Sequence, residues 1–220
     1  MFINSAIVFN CSYNGLSIIQ ELSLKGINCV AMDSIRGIGS FSRFAKYVKC
    51  PDPLTNETQF VSFLYDYCGK SSIKPVLFPT NDEWADAISK HKETFESVSF
   101  PCVADFKAMD IIINKDKFYE LGKEKNFLTP RTWSWENANE IIDYPVIAKP
   151  KFRALSGNKK RNLMLKKVAK SDLRLVVIHQ QTELNRFILK NEELKNTYIF
   201  QEFVEGSECV NENETPPSVI

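Results

Sequence analysis

The first third of this chain alternates short apolar runs with longer stretches at helical spacing, and that alternation restricts its fold more than any other feature. Ser5-Ala6-Ile7-Val8-Phe9 is continuous rather than alternating in polarity, the pattern of a strand covered on both faces. Residues 15–25 then place Leu16, Ile19 and Leu22 on one helical face, with Gly26 as the stop. Residues 27–32 form a second strand that ends at Asp33. A helix over 56–68 buries Phe60, Leu64 and Tyr67, and Pro75-Val76-Leu77-Phe78-Pro79 is a further strand. Thr80-Asn81-Asp82-Glu83 has the T-x-x-E form of a capping box and opens a helix with Trp84, Ile88 and Phe95 inward. Strand–helix–strand units with short links require right-handed crossovers and a parallel sheet. The expected fold class is therefore α/β, beginning with a Rossmann-like half.

From about residue 105 the texture changes. Residues 105–126 are mostly helical, with Phe118, Tyr119 and Leu121 supplying apolar surface. Leu128-Thr129-Pro130-Arg131-Thr132-Trp133 is extended, because a residue before proline avoids the helical region. Asp143-Tyr144-Pro145 turns into a strand at 146–149, followed by a polar, basic loop. A strand over 173–178, a helix over 182–189 and a last strand over 198–204 complete the pattern. Residues 163–170 yield no assignment, and 211–220 are too polar to extend a core. The expected division is a Rossmann-like domain at 1–112 and a helical link plus second lobe at 113–220.

Composition removes several functional classes. The 220 residues carry 28 Lys+Arg against 27 Asp+Glu, which gives no global electrostatic reason for a nucleic-acid or membrane partner. No apolar stretch approaches a membrane span, and the N-terminus lacks the basic region of a signal peptide. Six cysteines occur without a C-x-x-C pair, and Cys29 sits within an apolar run, so reduced thiols and a cytoplasmic setting are expected. The sequons at Asn10, Asn56 and Asn213 are then chance matches. His91 and His179 are too few and too scattered for a zinc site.

Glycine is scarce, with 8 residues, which disfavours a glycine-built phosphate cradle. The loop Asn10-Cys11-Ser12-Tyr13-Asn14-Gly15 offers backbone N–H groups at a helix start but lacks G-x-G-x-x-G, which disfavours an NAD(P) site. Asp33 reads as a strand-end acid rather than a ribose ligand, and Gly37-Ile38-Gly39-Ser40 reads as a turn. Asn81 and Asp82 lie where a parallel sheet presents its carboxyl edge. They are candidate substrate contacts, or residues that simply favour a first helical turn.

The richest constellation lies in the second half. Asp116-Lys117 opens a helix, Tyr144-Pro145-Val146-Ile147-Ala148-Lys149-Pro150 is a strand ending in lysine, and Gln201-Glu202-Phe203-Val204-Glu205-Gly206-Ser207-Glu208 follows a polar loop. Two lysines from separate elements suit a polyphosphate as point charges. A strand running out at 204 offers backbone C=O and N–H groups to an adenine edge, and Glu208 suits ribose hydroxyls. The bland counterparts are a snorkelling lysine at 149 and solvated loop carboxylates at 205 and 208.

In this order, these segments resemble the ATP-grasp superfamily. The nearest group is the carboxylate–amine ligase-like one that includes D-aspartate ligases, with biotin carboxylase and carbamoyl phosphate synthetase as more distant relatives. The resemblance spans nearly the whole chain. Residues 79–83 and Asn114-Lys115-Asp116-Lys117 match the pre-ATP-grasp domain and its exit helix, and the rest match the first lobe of the ATP-grasp domain. It implies phosphate contacts from Lys117 and Lys149, adenine contacts from the Glu202 C=O and the Val204 N–H, and a ribose contact from Glu208. Gln201 stands where relatives often carry an acid. The implied activity is MgATP-dependent phosphorylation of a small carboxylate, followed by attack of a small amine to form an amide. The alternative is a non-catalytic module that binds a nucleotide or another small ligand.

Two departures qualify that resemblance. The loop after Lys149 is usually rich in glycine and serine, whereas residues 151–161 hold one glycine and five basic residues. In addition, the family's Mg²⁺-binding carboxylate and asparagine come from strands beyond the hinge, and only twelve residues follow Glu208. No catalytic or metal-binding residue is therefore assigned, and the expectation is a truncated, catalytically incomplete chain.

Overall fold

The computed structural model describes residues 5–151, 175–195 and 197–205. The opening apolar run forms β1 (Ser5–Phe9), buried from Ala6 onward. Its continuous hydrophobicity reflects two covered faces. Ile7 and Phe9 join a core with Phe60, Leu64, Leu77, Trp84 and Phe95, while Ala6 and Val8 pack with Ile19 and Ala31 on the other side. Phe9 and Trp84 stack at 5.3 Å between ring centroids, and Phe60 meets Trp84 edge-on at 5.2 Å.

Helix α1 (Tyr13–Leu24) follows β1, and the chain leaves it through Gly26 at φ +74°, a conformation glycine adopts without steric cost. Next come β2 (Asn28–Asp33), a 3-10 turn at Ile38–Phe41, and β3 (Ala45–Lys49). Helix α2 (Glu57–Gly69) is capped by the Asn56 side chain, which accepts the Gln59 N–H at 3.2 Å. Then follow β4 (Val76–Pro79), α3 (Asp82–Lys90), α4 (Lys92–Glu96) and β5 (Phe100–Pro101). All strand pairs in this sheet are parallel, in the order β3-β2-β1-β4-β5. Strand β3 escaped the sequence reading because it is a half-exposed edge, Ala45-Lys46-Tyr47-Val48-Lys49, without an apolar run.

The helix cap expected at Thr80 falls one residue later. Asn81 is the cap, its side chain accepting the Trp84 N–H at 3.3 Å. The Thr80 hydroxyl is instead drawn to the end of β1, where it meets the Phe9 and Asn10 carbonyls at 2.9 Å each. The single helix expected through Phe95 is also divided, at His91.

The helical stretch expected over 105–126 is two helices, α5 (Phe106–Ile113) and α6 (Lys115–Glu124). Asn114 separates them and accepts the Asp116 N–H at 3.1 Å, so a polar cap interrupts a continuous pattern. Strands β6 (Thr132–Ser134), β7 (Val146–Pro150), β8 (Val176–Ile178) and β9 (Tyr198–Glu202), with α7 (Gln181–Lys190) between the last two, form the second layer. Their order is β6-β9-β7-β8, and every pair is antiparallel. One face of this sheet packs Val146, Ala148, Tyr198 and Phe200 against Leu184 and Phe187 of α7. The last strand ends at Glu202, short of the expected 204. Among the described residues no helix is long and apolar enough to cross a membrane.

Candidate functional site

Side chains alternate between the faces of a strand, so the α7-facing core determines what points the other way. With Val146 and Ala148 committed to that core, Lys149 falls on the opposite face of β7. Tyr198 and Phe200 likewise leave Gln201 on the opposite face of β9, and Trp133 leaves Thr132 there on β6. Three polar side chains from three adjacent strands thus share one face, and α6 brings Tyr119 to them.

They are joined in sequence. The Lys149 ammonium donates to the Tyr119 hydroxyl at 2.9 Å and to the Gln201 side-chain carbonyl, and the Gln201 amide donates to the Thr132 hydroxyl at 3.0 Å. Gln201 is only 6% exposed, and both ends of its amide are engaged. Burial works to raise the Tyr119 pKa. Hydrogen bonds with Lys149 and Gln201 and the positive charges of Lys149 and Lys115 outweigh it, leaving the phenol below its ordinary value. A cleft of about 260 Å³ opens beside this group, lined by Tyr119, Glu120, Lys123, Thr132, Trp133 and Asn137 among others.

The first turn of α6 is tied to the end of β7. The Lys115 N–H and ammonium both donate to the Lys151 carbonyl, at 3.1 and 3.4 Å, and the Lys151 ammonium pairs with Asp116. Lys115, Lys149 and Lys151 therefore share a corner. Lys117 does not join this network; it pairs with Asp110 of α5 on an exposed surface.

At the end of β9, Glu202 is fixed by a residue that the sequence reading did not single out. Arg131 donates to its carboxylate through Nε at 3.3 Å, Nη2 at 3.4 Å and its own backbone N–H at 3.1 Å. Arg131 also bonds Asp143 at 2.8 Å, and its hydrogen bonds to Glu202 hold that carboxyl below its ordinary pKa although the Asp143 charge opposes them. Its position in an extended Pro130-Arg131 segment was the available signal, but nothing in the sequence named its partners. Phe203 donates its N–H to the Pro145 carbonyl at 3.3 Å, and Val204 lies exposed beyond the last ladder pair. Glu208 and residues 152–161 of the basic loop lie outside the described residues.

The first sheet offers a less accessible edge. Asp33 accepts the Cys11 N–H at 2.7 Å and the Ser34 N–H at 2.8 Å, so its carboxylate serves the fold, as expected of a strand-end acid. Its 8% exposure raises its pKa despite those bonds. Gly37-Ile38-Gly39-Ser40 turns back over the β1–α1 loop, where the Gly39 N–H reaches the Cys11 carbonyl at 2.7 Å. A Cβ at Gly37 would stand 2.3 Å from that carbonyl oxygen. This packing leaves both the N–H and the carbonyl of Cys11 engaged within the fold, by Asp33 and Gly39. Asn81 is engaged as the α3 cap, and Asp82 is exposed in the first turn of that helix. The described cysteines are free, and burial with the nearby Asp33 pushes the Cys11 thiol up to about 12, which leaves it protonated and unreactive.

No protein-family model matches the sequence, and no curated protein matches it. Solved structures do match its fold. An L-amino acid ligase from Bacillus licheniformis superposes with a TM-score of 0.64 at 15% identity, over 92% of this chain and 45% of that one. N5-carboxyaminoimidazole synthetase from Staphylococcus aureus, complexed with ADP, gives 0.64 at 14% identity, over 93% and 48%. Phosphoribosylglycinamide synthetase from Anaerococcus prevotii gives 0.55 at 16% identity, over 92% and 46%. The chain thus has an ATP-grasp ligase-type fold and spans about half the length of the structures it matches.

Proposed function

We propose that this chain, which carries part of an ATP-grasp ligase fold, supplies the adenine- and phosphate-contacting half of an ATP-dependent carboxylate–amine ligase. The observation that carries the reading is the Lys149 ammonium, held by Tyr119 and Gln201 on the face of the second sheet opposite its α7-packed core. Lys117 is the second phosphate cation, and it reaches the ligand by releasing Asp110, an exchange that is cheap for an exposed ion pair. The Glu202 C=O and the Val204 N–H take the adenine edge, with Glu208 on the ribose. The ADP bound to the Staphylococcus aureus synthetase supports nucleotide use, and the name of the L-amino acid ligase supports a small carboxylate and a small amine as substrates.

Residues 1–112 form the Rossmann-like domain and 113–220 the link and first lobe, a division supported by two sheets with separate cores. Asn81 and Asp82 remain candidates for contacting a substrate at the edge of the first sheet. Free thiols in the described cysteines support a reducing, cytoplasmic setting. That this chain binds ATP without completing the ligation on its own is part of the same proposal.

Calorimetric titration with ATP tests the reading. Lys149→Ala weakens binding roughly tenfold or more, the net worth of a charge-assisted hydrogen bond. Equal affinity in the two proteins would remove the basis for it. Amide formation or ATP hydrolysis by the purified chain with Mg²⁺ would overturn the proposed incompleteness.

A further inference from the structure

We propose that Tyr119 is the positioning residue for Lys149, holding its ammonium ready for an anionic ligand; this rests on the nucleotide reading above. An ammonium has three donors. The Tyr119 hydroxyl and the Gln201 carbonyl each accept one, and this fixes the direction of the third. Gln201 is itself held by Thr132, so β6, β9, β7 and α6 all fix the tip of one flexible side chain. A lysine immobilised in advance loses less freedom when its ligand arrives. In the sequence Tyr119 read only as apolar helix surface; its hydroxyl acquires a role because α6 crosses the polar face of the second sheet.

The same contact makes the site sensitive to alkali. The charges that act on the phenol are Lys149 from β7 and Lys115 from its own helix, while Asp116, Glu120 and Lys123 of α6 and Glu140 of the turn at Ala138–Glu140 line the same cleft as Tyr119. Lys149 and Lys115 favour its ionised form. Once ionised, the tyrosinate retains Lys149 as an ion pair and places a negative charge beside the phosphate position. ATP affinity in the wild type therefore falls on the alkaline side, and it begins to fall below the ordinary tyrosine range.

The test is ATP affinity of the full chain from neutral to alkaline pH for wild type, Tyr119→Phe and Lys149→Ala. Tyr119→Phe is expected to bind roughly fivefold more weakly at neutral pH, the equivalent of one hydrogen bond, and to lose the early alkaline decline. Wild-type affinity for Tyr119→Phe at every pH, with Lys149→Ala weakened, overturns the proposal and leaves the nucleotide reading standing. Weaker binding with an unchanged alkaline decline overturns it too, because lost packing alone would do that. No effect of Lys149→Ala is the separate failure of the nucleotide reading. If Tyr119→Phe does not fold, Gln201→Met removes the other acceptor. A several-fold loss with the alkaline decline retained then supports the proposal, and unchanged affinity overturns it.

Discussion

Gln201 shows how much one side chain carries here. As an amide it both accepts from Lys149 and donates to Thr132, two tasks that a carboxylate in the same place could not combine. Gln201→Leu keeps the volume but deprives both neighbours of their partner. The expected cost is about 1–3 kcal/mol, read from the urea midpoint; an unchanged midpoint would show the network to be energetically idle. Glu202 makes a pH-dependent contribution of definite sign. Its folded pKa lies below the ordinary 4.5, because Arg131 bonds the ionised form. Its stabilising contribution is present above about 4.5 and is lost as pH falls through the folded value. Glu202→Gln should therefore lower stability in the neutral region, leave the acid extreme nearly unchanged, and so flatten the acid side of the stability–pH curve. A curve of the same shape would show that the Arg131 contact contributes nothing. Lys149 and Gln201 were marked in the sequence, the first as the lysine that ends a strand and the second by its place in the hinge pattern. Tyr119 and Arg131 were not, because each depends on a partner 30 or 71 residues away.

At the level of elements, what could be read from the sequence was what burial enforces. Strands β1, β2 and β4 are buried on both faces or nearly so, and their apolar runs announce them. The edge strand β3 and the breaks at His91 and Asn114 depend on local polar geometry, which periodicity does not encode. The turn at Gly37–Gly39 is set by space. Gly37→Ala would force a Cβ to 2.3 Å from the Cys11 carbonyl oxygen, a backbone atom that cannot swing aside. The expected loss is about 1–3 kcal/mol, as for other overpacked positions. Gly69→Ala, at the end of α2, meets nothing closer than 3.9 Å and should be neutral or slightly stabilising. Denaturant unfolding of the two variants compares them directly; equal stability would mean that the 37–41 turn yields without cost.

Across the whole molecule, the two sheets separate the competing functional readings. Each has its own core, so a ligand bound to one stabilises that one first. If ATP is held by Lys149 and the end of β9, saturation should slow amide exchange in β6, β7, β9 and α6 and leave β1, β2 and β4 little changed. At a nucleotide concentration a hundredfold above the dissociation constant, the linkage is worth about 2.7 kcal/mol, close to a hundredfold in exchange rate for amides that open with the second sheet. A module that bound its ligand in the Rossmann-like half would show the reverse, with protection at the ends of β1 and β4. The packing of Gly37 and Gly39 over the first loop argues for the former outcome, because the backbone N–H of Cys11 is already taken by Asp33 and its carbonyl by Gly39. Protection confined to the first sheet would therefore reject the ligase-type nucleotide site while leaving the fold assignment intact.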